Sequence, residues 1–331
     1  MTCGKVSSDF VWALKITTGA NIVACAARNL EDAKKFGQKH GIPNCYGSYK
    51  ELVQDSSVHV VYIGSIHVHH FEHSLLALNH GKHILVEKPM GINRKQTEQI
   101  YKLATEKNLY VMEGMWTAFN PTFVKAKSAI DSGVIGEVKF AEINFGVAFP
   151  KDIARIWEPQ LGGGALLDIG IYPLYGVQLL LGNGDKPIEV KANGFIEGGI
   201  DVAGTASLKY PNNRLGVINW NAFVDLPETA TIVGTKGKIV INPPYHAPTS
   251  VTISPSDGKE ETFQFPLPDC PNATWNFTNS VAFTYEAAAV QQDLLAGKKE
   301  NSTITKLTSQ LVADILEDIK SQIGLKYPSE I

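Results

Sequence analysis

Residues 83–114, HILVEKPMGINRKQTEQIYKLATEKNLYVMEG, place two short apolar runs on either side of a helical pattern. The first run, His83 to Val86, predicts a strand that ends at Glu87-Lys88-Pro89. A helix over about Arg94 to Lys107 leads to a second strand over Tyr110 to Glu113. A strand, a crossover helix and a second strand form the unit from which parallel sheets are built. This segment therefore predicts part of a parallel sheet with covering helices.

The residues before this segment repeat the same alternation. Strands are predicted over 21–27 and 58–63, and helices over 30–40 and 71–80. Successive strand–helix units wind right-handed into one doubly wound sheet. The first third of the chain is therefore expected to form an α/β domain.

The pattern changes after about Lys139. Longer segments alternate between apolar and polar residues, and turn clusters separate them, which is typical of an antiparallel sheet with one covered face. Two helices interrupt this pattern, over 165–181 and 305–323. We therefore predict an α/β domain at 1–118 and an α+β domain at 119–331, the latter a mainly antiparallel sheet with flanking helices.

Composition excludes several classes of protein. The 331 residues carry a formal net charge of −3, with 44% hydrophobic and 19% charged residues, which is ordinary for a globular protein. Balanced charge gives no footprint for nucleic acid, and no apolar run approaches the roughly 20 residues of a membrane span. Four irregularly spaced cysteines form no disulfide framework or zinc motif. We expect a cytoplasmic location, with neither nucleic acid nor a membrane as partner.

The N-terminal residues only partly match a dinucleotide-binding fingerprint, which is a strand, three spaced glycines and a helix. Residues 2–7, TCGKVS, contain one glycine, and no strand precedes them. We therefore expect a Rossmann domain that lacks its central first strand, a truncated form of the fold whose neighbouring strands lose ladder partners. Such a loss costs several kcal/mol, comparable with a total stability of about 5–15 kcal/mol.

Arg28 follows the predicted strand over 21–27, at a position where NAD-preferring sites usually carry an acidic residue. The planar, permanently charged guanidinium suits the 2′-phosphate of NADP. A solvated arginine at a strand end is the alternative interpretation.

Lys88, Asp168 and Tyr172 are candidates for acid–base chemistry. Lys88 follows a buried strand at the edge where a doubly wound sheet binds its ligand. Asp168 and Tyr172 stand at i and i+4 of the predicted helix and are expected to share a face. A tyrosine can accept the hydroxyl proton when a hydride leaves an alcohol, and a nearby ammonium group favours the phenolate. A polar stripe on an amphipathic helix would show the same spacing.

A group of four histidines raises the question of a metal: His67, His69, His70 and His73. His69 and His73 share the i, i+4 spacing of some zinc sites. The nearby Glu72 would not share their helix face, and no cysteine is close in sequence. We therefore expect no bound metal.

Six segments of the chain carry a resemblance to a known family: AARNLEDAKKFGQKHGIPNCYGSYKELV, VEKPMGIN, EGMWTAFNP, LGGGALLDIGIYPL, GTKGKIVINPP and LVADILEDIKSQIG. The chain resembles the oxidoreductases typified by glucose–fructose oxidoreductase and inositol dehydrogenase. Within that family it is similar to the dimeric dihydrodiol dehydrogenases, also described as NADP-dependent D-xylose dehydrogenases. The resemblance covers essentially the whole chain in order.

The resemblance implies a set of site residues. Lys88 and Tyr172 would be the catalytic pair, supported by Asp168, and the Lys88–Pro89 peptide bond would be cis. Cofactor-binding residues would be Gly4, Ser7, Arg28, Ser65, His67, His70, Glu87 and Lys88, and the substrate pocket would include Trp116, Arg155, Tyr245 and Phe277.

Two positions depart from the family pattern and bear on the substrate. Tyr245 stands where tryptophan is usual, and Ala118 where arginine is usual. The choice between D-xylose and an aromatic dihydrodiol is therefore open.

The resemblance implies an NADP-dependent oxidoreductase that acts on a small hydroxylated substrate and forms a homodimer through the sheet of its second domain. Two alternatives are left open. The chain could bind NADP(H) as a regulatory protein without turnover, or it could be a truncated, inactive isoform.

Overall fold

The computed structural model describes residues 1–328, which form two compact units. Unit 1 comprises Met1–Gly91, Lys95–Trp116 and Leu267–Lys306. Unit 2 comprises Ile92–Arg94, Thr117–Pro266 and the residues from Leu307 onward. The units therefore differ from the predicted domains, 1–118 and 119–331, mainly in residues 267–306, which belong to unit 1.

Helices and strands alternate in the first third of the described chain, and strands dominate the middle. The α-helices are α1 (Lys5–Ile16), α2 (Leu30–His40), α3 (Tyr49–Gln54), α4 (His70–Asn79), α5 (Arg94–Glu106), α6 (Pro121–Asp131), α7 (Ala154–Trp157), α8 (Ile171–Val177), α9 (Phe283–Leu295) and α10 (Lys306–Ile323). The strands are β1 (Ala24–Ala26), β2 (Asn44–Tyr46), β3 (Val60–Ile63), β4 (His83–Glu87), β5 (Val111–Gly114), β6 (Val138–Gly146), β7 (Glu189–Glu197), β8 (Ile200–Tyr210), β9 (Arg214–Asn221), β10 (Ala230–Gly234), β11 (Gly237–Ile241), β12 (Ser250–Pro255) and β13 (Glu261–Gln264).

The parallel sheet of unit 1 has two parts. β1 pairs with β2, and β3, β4 and β5 pair in that order, all in parallel. Local signals set the helices between them. Asn29 caps α2 by accepting a hydrogen bond from the Asp32 amide at 2.9 Å, and Gly41 ends it with a φ of 66°. The predicted α/β architecture is confirmed.

Met1 and Thr2 lie between the two parts of this sheet. The Met1 nitrogen donates to the Tyr62 carbonyl at 2.7 Å, and the Met1 carbonyl accepts from Gly64 at 3.3 Å. On the other side, the Thr2 amide donates to the Ala26 carbonyl at 3.0 Å. Met1 and Thr2 therefore lie at the place of the central strand whose absence the sequence predicts. Through them, β1 and β3 each keep part of their backbone pairing.

The core of unit 1 extends across both parts of the sheet. One cluster of buried side chains includes Met1, Ala26 of β1, Ile63 of β3 and Val86 of β4. The Phe10 ring of α1 stacks on Tyr62, with centroids 3.8 Å apart. Burial of this apolar surface holds α1 against the sheet.

Unit 2 is built on an eight-stranded sheet in the order β13-β12-β11-β10-β6-β9-β8-β7. Neighbouring strands pair antiparallel except for β6 and β9, which pair in parallel. The mainly antiparallel second domain is thus confirmed.

The predicted helix over 165–181 is present in modified form. Leu166–Gly170 and Gln178–Gly182 are π-helical turns on either side of α8. In the described residues, Pro159–Gly182 is a helical stretch that is long and apolar enough for a membrane span. However, 89% of its 18-residue apolar stretch is buried inside the protein. Burial of this kind is typical of a core helix.

Candidate active site

A cleft of about 850 Å³ opens in unit 1 where parallel strands end. Its walls include the turn before α1, Ala27 and Arg28 after β1, and Gly64 and Ser65 after β3. Doubly wound sheets bind ligands at this edge. The remaining lining residues are Thr2, Cys3, Gly4, Lys5, Ser8, Asp32, Lys35, Phe36, Lys39, Tyr49, Ile66, His69, Glu72, His73 and Asn276.

Three predicted cofactor residues line this cleft: Gly4, Arg28 and Ser65. Within the described chain, the lining does not include the other five, which are Ser7, His67, His70, Glu87 and Lys88. The buried Ser7 hydroxyl lies 3.3 Å from that of Thr2, and its neighbour Ser8 faces the cleft instead. Cofactor contacts of those five residues stay a prediction.

The cleft carries more positive than negative side chains. Lys5, Arg28, Lys35 and Lys39 stand against two carboxylates, Asp32 and Glu72. The spacing of Asp32, Lys35 and Lys39 places them on one face of α2, a helical signal that sequence reading could have used. Asn276 reaches the cleft from a distant part of the chain, and it has no such local signal.

The turn between Thr2 and α1 presents backbone donors to the same cleft. Gly4 is the N-cap of α1, and no side chain of the described residues caps this helix. A β-carbon added at Gly4 would meet no atom within 4 Å, so the space before the helix is open. The first-turn amides and the helix dipole favour an anionic group there.

His70 and Ser65 hold together the loops at the ends of β3 and β4. The His70 ring nitrogens lie 2.7 Å from the carbonyl oxygens of Pro89 and Ser65. The Ser65 hydroxyl lies 3.0 Å from His73 Nδ1, and burial lowers the pKa of His73 to about 4. His70, which is 1% exposed, therefore fixes the positions of these two loops from within the protein interior.

Glu87 is a buried support at the end of β4. It is 6% exposed, and the Tyr62 hydroxyl donates to its Oε1 at 2.7 Å. Burial raises the pKa of Glu87 to about 6, against the lowering effects of Tyr62 and Lys88. Burial raises the pKa of Glu286 well above its ordinary value, and the charge of Glu87 adds a smaller effect in the same direction. Lys88, by contrast, is partly exposed, and its peptide bond with Pro89 is cis, as the resemblance implies.

The two predicted pocket aromatics of unit 1 differ in exposure. Trp116 is only 3% exposed and stacks on Phe283 with ring centroids 4.3 Å apart. Phe277 is 39% exposed, and its amide donates to the buried Asp9 carboxylate at 3.1 Å. Within unit 1, Phe277 is thus the more open of the two rings.

In unit 2, Arg155, Asp168 and Tyr172 form a second group of predicted site residues. Arg155 Nη1 donates to Asp168 Oδ1 at 2.6 Å. Burial works to lower the pKa of Arg155, but Asp168 and Tyr172 outweigh it and raise that pKa. The Asp168 carboxylate is therefore held as an ion-pair partner beside Tyr172. Residues 166–170 form a π-helical turn within the predicted helix, and Asp168 and Tyr172 both lie beside Arg155.

Two aromatic rings pack against the ring of Tyr172. Phe145 and His246 approach it edge-on, with centroids 5.6 and 6.1 Å away. The His246 ring stacks on Phe145, and its Nδ1 lies 2.8 Å from the Glu228 carboxylate. Tyr245, predicted to line the pocket, is 1% exposed and donates to the Tyr172 carbonyl at 3.3 Å.

Asp201 holds the start of the helix that carries Asp168 and Tyr172. Its Oδ2 accepts hydrogen bonds from the Leu166 amide at 2.7 Å and the Trp220 indole at 2.9 Å. A β-carbon at Gly164, whose φ is 125°, would lie 2.2 Å from Asp201 Oδ1. This close approach explains why glycine stands before the helix. Burial raises the pKa of Asp201 to about 6.

Family models match both parts of the chain. Residues 3–115 match the oxidoreductase family with an NAD-binding Rossmann fold, and residues 123–240 match the GFO/IDH/MocA C-terminal domain. The chain belongs to the GFO/IDH/MocA family. Trans-1,2-dihydrobenzene-1,2-diol dehydrogenase of Danio rerio is 39% identical over 332 residues, covering 99% of this chain and 97% of the relative. The protein of that name from Homo sapiens is 37% identical over 336 residues, covering 100% and 97%.

Solved structures share the fold of this GFO/IDH/MocA oxidoreductase. KijD10, a 3-ketoreductase from Actinomadura kijaniata in complex with NADP, has a TM-score of 0.80 and 26% identity, covering 97% of this chain and 95% of that one. Levoglucosan dehydrogenase in complex with NADH has a TM-score of 0.84 and 20% identity, covering 98% and 95%. Both cofactors therefore occur in proteins of this fold.

The sequence did not indicate His246, which lies beside Tyr172, or its partner Glu228. They come from separate loops, so their approach to Phe145 and Tyr172 depends on the sheet of unit 2.

In the described residues, no group of three His, Cys, Asp or Glu side chains could hold a metal ion.

Asp201→Asn should remove a pH dependence of stability. In the wild type, the unfolded carboxyl ionises above its ordinary pKa of 3.8, whereas the folded one stays protonated up to about 6. Stability is therefore lost as the pH rises from about 4 through 6, by about 3 kcal/mol at roughly 1.4 kcal/mol per pKa unit. Urea unfolding between pH 3.5 and 7 measures this loss, which the variant should lack.

Asp257→Asn, on an exposed turn, is the matched control and should follow the wild-type curve. Parallel curves for wild type and Asp201→Asn would contradict the prediction.

Proposed function

We propose that this protein is an NADP-dependent dehydrogenase. It would transfer a hydride from a hydroxyl-bearing carbon of a trans-dihydrodiol or D-xylose to NADP⁺. The observation that carries the proposal is the exposed Arg28 in a basic cleft at the ends of parallel strands. The names of the curated relatives support a dihydrodiol substrate, and the resemblance in the sequence adds D-xylose.

The cleft of unit 1 fits a phosphorylated dinucleotide. The uncapped start of α1 suits the pyrophosphate, and the Arg28 guanidinium suits the 2′-phosphate through charge-assisted, bidentate hydrogen bonds. Lys35 and Lys39 add positive charge on the adjacent face of α2. When bound, the cofactor supplies the hydride acceptor.

In the proposed reaction, the C–H and O–H bonds of one substrate carbinol break and a carbonyl forms. Tyr172 would take the hydroxyl proton, and Lys88 would orient the hydroxyl group. The ion pair of Arg155 with Asp168 would supply fixed charge beside the phenol. The aromatic contacts of Tyr172 leave its ring little freedom, which favours proton transfer at a defined position.

We also propose that the protein forms a homodimer through the outer face of the sheet in unit 2. Register places Val233, Phe140 and Leu215 side by side on this face. Phe195 on β7 is 75% exposed, and Leu215 is 41% exposed. Exposed apolar residues grouped on one face are typical of protein–protein contacts.

Tyr172→Phe should lower kcat about 10²–10⁴-fold, the usual contribution of a general base. NADPH affinity, measured by fluorescence titration, should change by less than about twofold, because the phenol acts only on the substrate proton. NADP⁺ reduction is measured with trans-dihydrobenzenediol and with D-xylose.

Tyr175→Phe is the matched control, since Tyr175 lies on the same helix and shares a hydrogen bond with Ser309 at 3.1 Å. It should keep most of the turnover. Unchanged turnover in Tyr172→Phe would refute the proton-acceptor role, and absence of turnover in the wild type would favour a regulatory or inactive form.

Arg28→Ala should weaken NADPH binding about 10–100-fold, because a charge-assisted hydrogen bond contributes about 1.5–3 kcal/mol. NADH, which has no 2′-phosphate, should bind equally well to variant and wild type. Lys102→Ala removes an exposed charge of α5 outside the cleft lining and controls for net charge. Equal losses for both cofactors in Arg28→Ala would refute the assignment.

Phe195→Lys should shift the protein from dimer to monomer in sedimentation equilibrium, because a charge in an apolar interface is desolvated without a partner. Leu295→Lys, at an 82% exposed position of α9, is the control and should stay dimeric. A monomeric wild type, or a dimeric Phe195→Lys, would rule out this interface.

A further inference from the structure

Three of the four cysteines lie together beside the cleft of unit 1. Cys25 in β1 and Cys45 in β2 are paired in register, and their sulfur atoms are 3.8 Å apart. The Cys3 thiol donates to the Ala26 carbonyl at 3.5 Å, and Cys3 packs against the apolar cluster that contains Cys25. Cys25 is thus next to both of the other thiols. We call this group the thiol cluster.

Helix α2 is shaped to fit this cluster. A β-carbon added at Gly37 would lie 2.2 Å from the Cys45 sulfur and 3.7 Å from the Cys25 sulfur. The backbone of α2 therefore packs directly on the two sulfur atoms. Cys25 also donates to the Ala33 carbonyl at 3.4 Å, which ties the pair to the same helix.

The geometry of Cys25 and Cys45 is compatible with a covalent bond. Adjacent strands lie about 4.8 Å apart, and disulfides join Cα atoms that are about 4.4–6.8 Å apart. Side chains at paired positions of parallel strands point to the same face of the sheet. Small rotations of the two side chains would therefore bring the sulfur atoms into bonding distance.

The three thiols differ in access to solvent. Cys3 and Cys45 are partly exposed, Cys25 is 4% exposed, and of the three thiols Cys3 lines the cleft. The neighbouring Cys25 thiol lowers the pKa of Cys3, while the interaction with Cys3 and burial raise the pKa of Cys25. A thiolate is the reactive form of cysteine, so a small oxidant entering the cleft meets Cys3 first.

We propose that the thiol cluster is a peroxide-sensitive relay that ends in a Cys25–Cys45 disulfide. The Cys3 thiolate attacks the O–O bond of a hydroperoxide, gains one oxygen as sulfenic acid, and releases water or an alcohol. The Cys25 thiol then attacks the Cys3 sulfur, which forms a Cys3–Cys25 disulfide and releases water. The peroxide is reduced by two electrons, and two thiols are oxidised.

The third thiol moves the bond away from the cleft. Cys45 attacks the Cys25 sulfur, and the Cys3 thiol leaves as the new disulfide forms. Of the two sulfurs in the Cys3–Cys25 disulfide, that of Cys3 is the better leaving group because its pKa is lower. Cys3 is regenerated, and the two-electron oxidation is stored as the disulfide between β1 and β2.

The test treats the reduced full-length protein, without cofactor, with hydrogen peroxide. Free thiols are then alkylated, and the protein is digested with trypsin for mass spectrometry. Trypsin leaves the three cysteines on separate peptides, residues 1–5, 16–28 and 40–50. Cross-linked 16–28 and 40–50 should be the main oxidised species, and addition of dithiothreitol should restore both free peptides.

Variants separate the steps of the relay. Cys3→Ser should slow formation of the cross-link about tenfold or more, since the two remaining thiols lie outside the cleft lining and have raised pKa values. Cys45→Ala should stop the relay at the bond between peptides 1–5 and 16–28. Cys270→Ser is the matched control and should oxidise at the wild-type rate, because Cys270 is not part of the cluster.

Two results would overturn the proposal. One is a wild type in which peptides 16–28 and 40–50 stay fully alkylated while Cys270 oxidises. The other is an equal rate of cross-linking in wild type and Cys3→Ser. Neither result depends on the cofactor assignment, because NADPH binding is measured separately on the reduced protein. Wild-type mass spectrometry needs no variant, so a poorly folded mutant would not leave the matter open.

Discussion

Three backbone hydrogen bonds made by Met1 and Thr2 hold the two parts of the parallel sheet in unit 1 together. They join Tyr62 and Gly64 on one side to Ala26 on the other. The cleft is built across this junction, since Arg28 follows one part of the sheet and Ser65 follows the other. The separation of Arg28 from Ser65 across the cleft therefore depends on very few backbone contacts. Side-chain packing of Met1 and of Phe10 on Tyr62 adds to them.

The sites of both units contain carboxyl groups whose burial works against folding. Glu87, Glu286 and Asp201 all have a pKa raised by burial, so their ionised forms destabilise the folded chain. Asp201 gains hydrogen bonds from Leu166 and Trp220 in return. Such groups are retained where they fix the positions of other residues. Here they lie behind the Lys88 turn and beneath the helix of Tyr172.

Local patterns predicted much of the fold and less of the site. The strand–helix units of the first third follow from period and capping, as Asn29 and Gly41 show for α2. A π-helical turn has no simple sequence pattern, so the departure of residues 166–170 from an α-helix was not predicted.

Buried supports and long-range neighbours were harder to predict. Glu87 ends β4, at the edge of the sheet where cofactor-binding residues are expected. Only the fold shows that Glu87 is buried and accepts a hydrogen bond from Tyr62. Glu228, His246 and Asn276 reach their sites through tertiary packing. No periodicity in the chain indicates that placement.

The discontinuity of unit 1 has a consequence for protein synthesis. Asp9, Thr17 and Tyr110 bond to Phe277, Thr284 and Asp293, which belong to a segment separated from Trp116 by about 150 residues. At about 5–20 residues per second, the ribosome needs roughly 10–30 s to make the intervening chain. During that time the nascent first unit lacks α9, and its apolar surface is open to chaperones. Unit 1 thus completes its folding only late in translation.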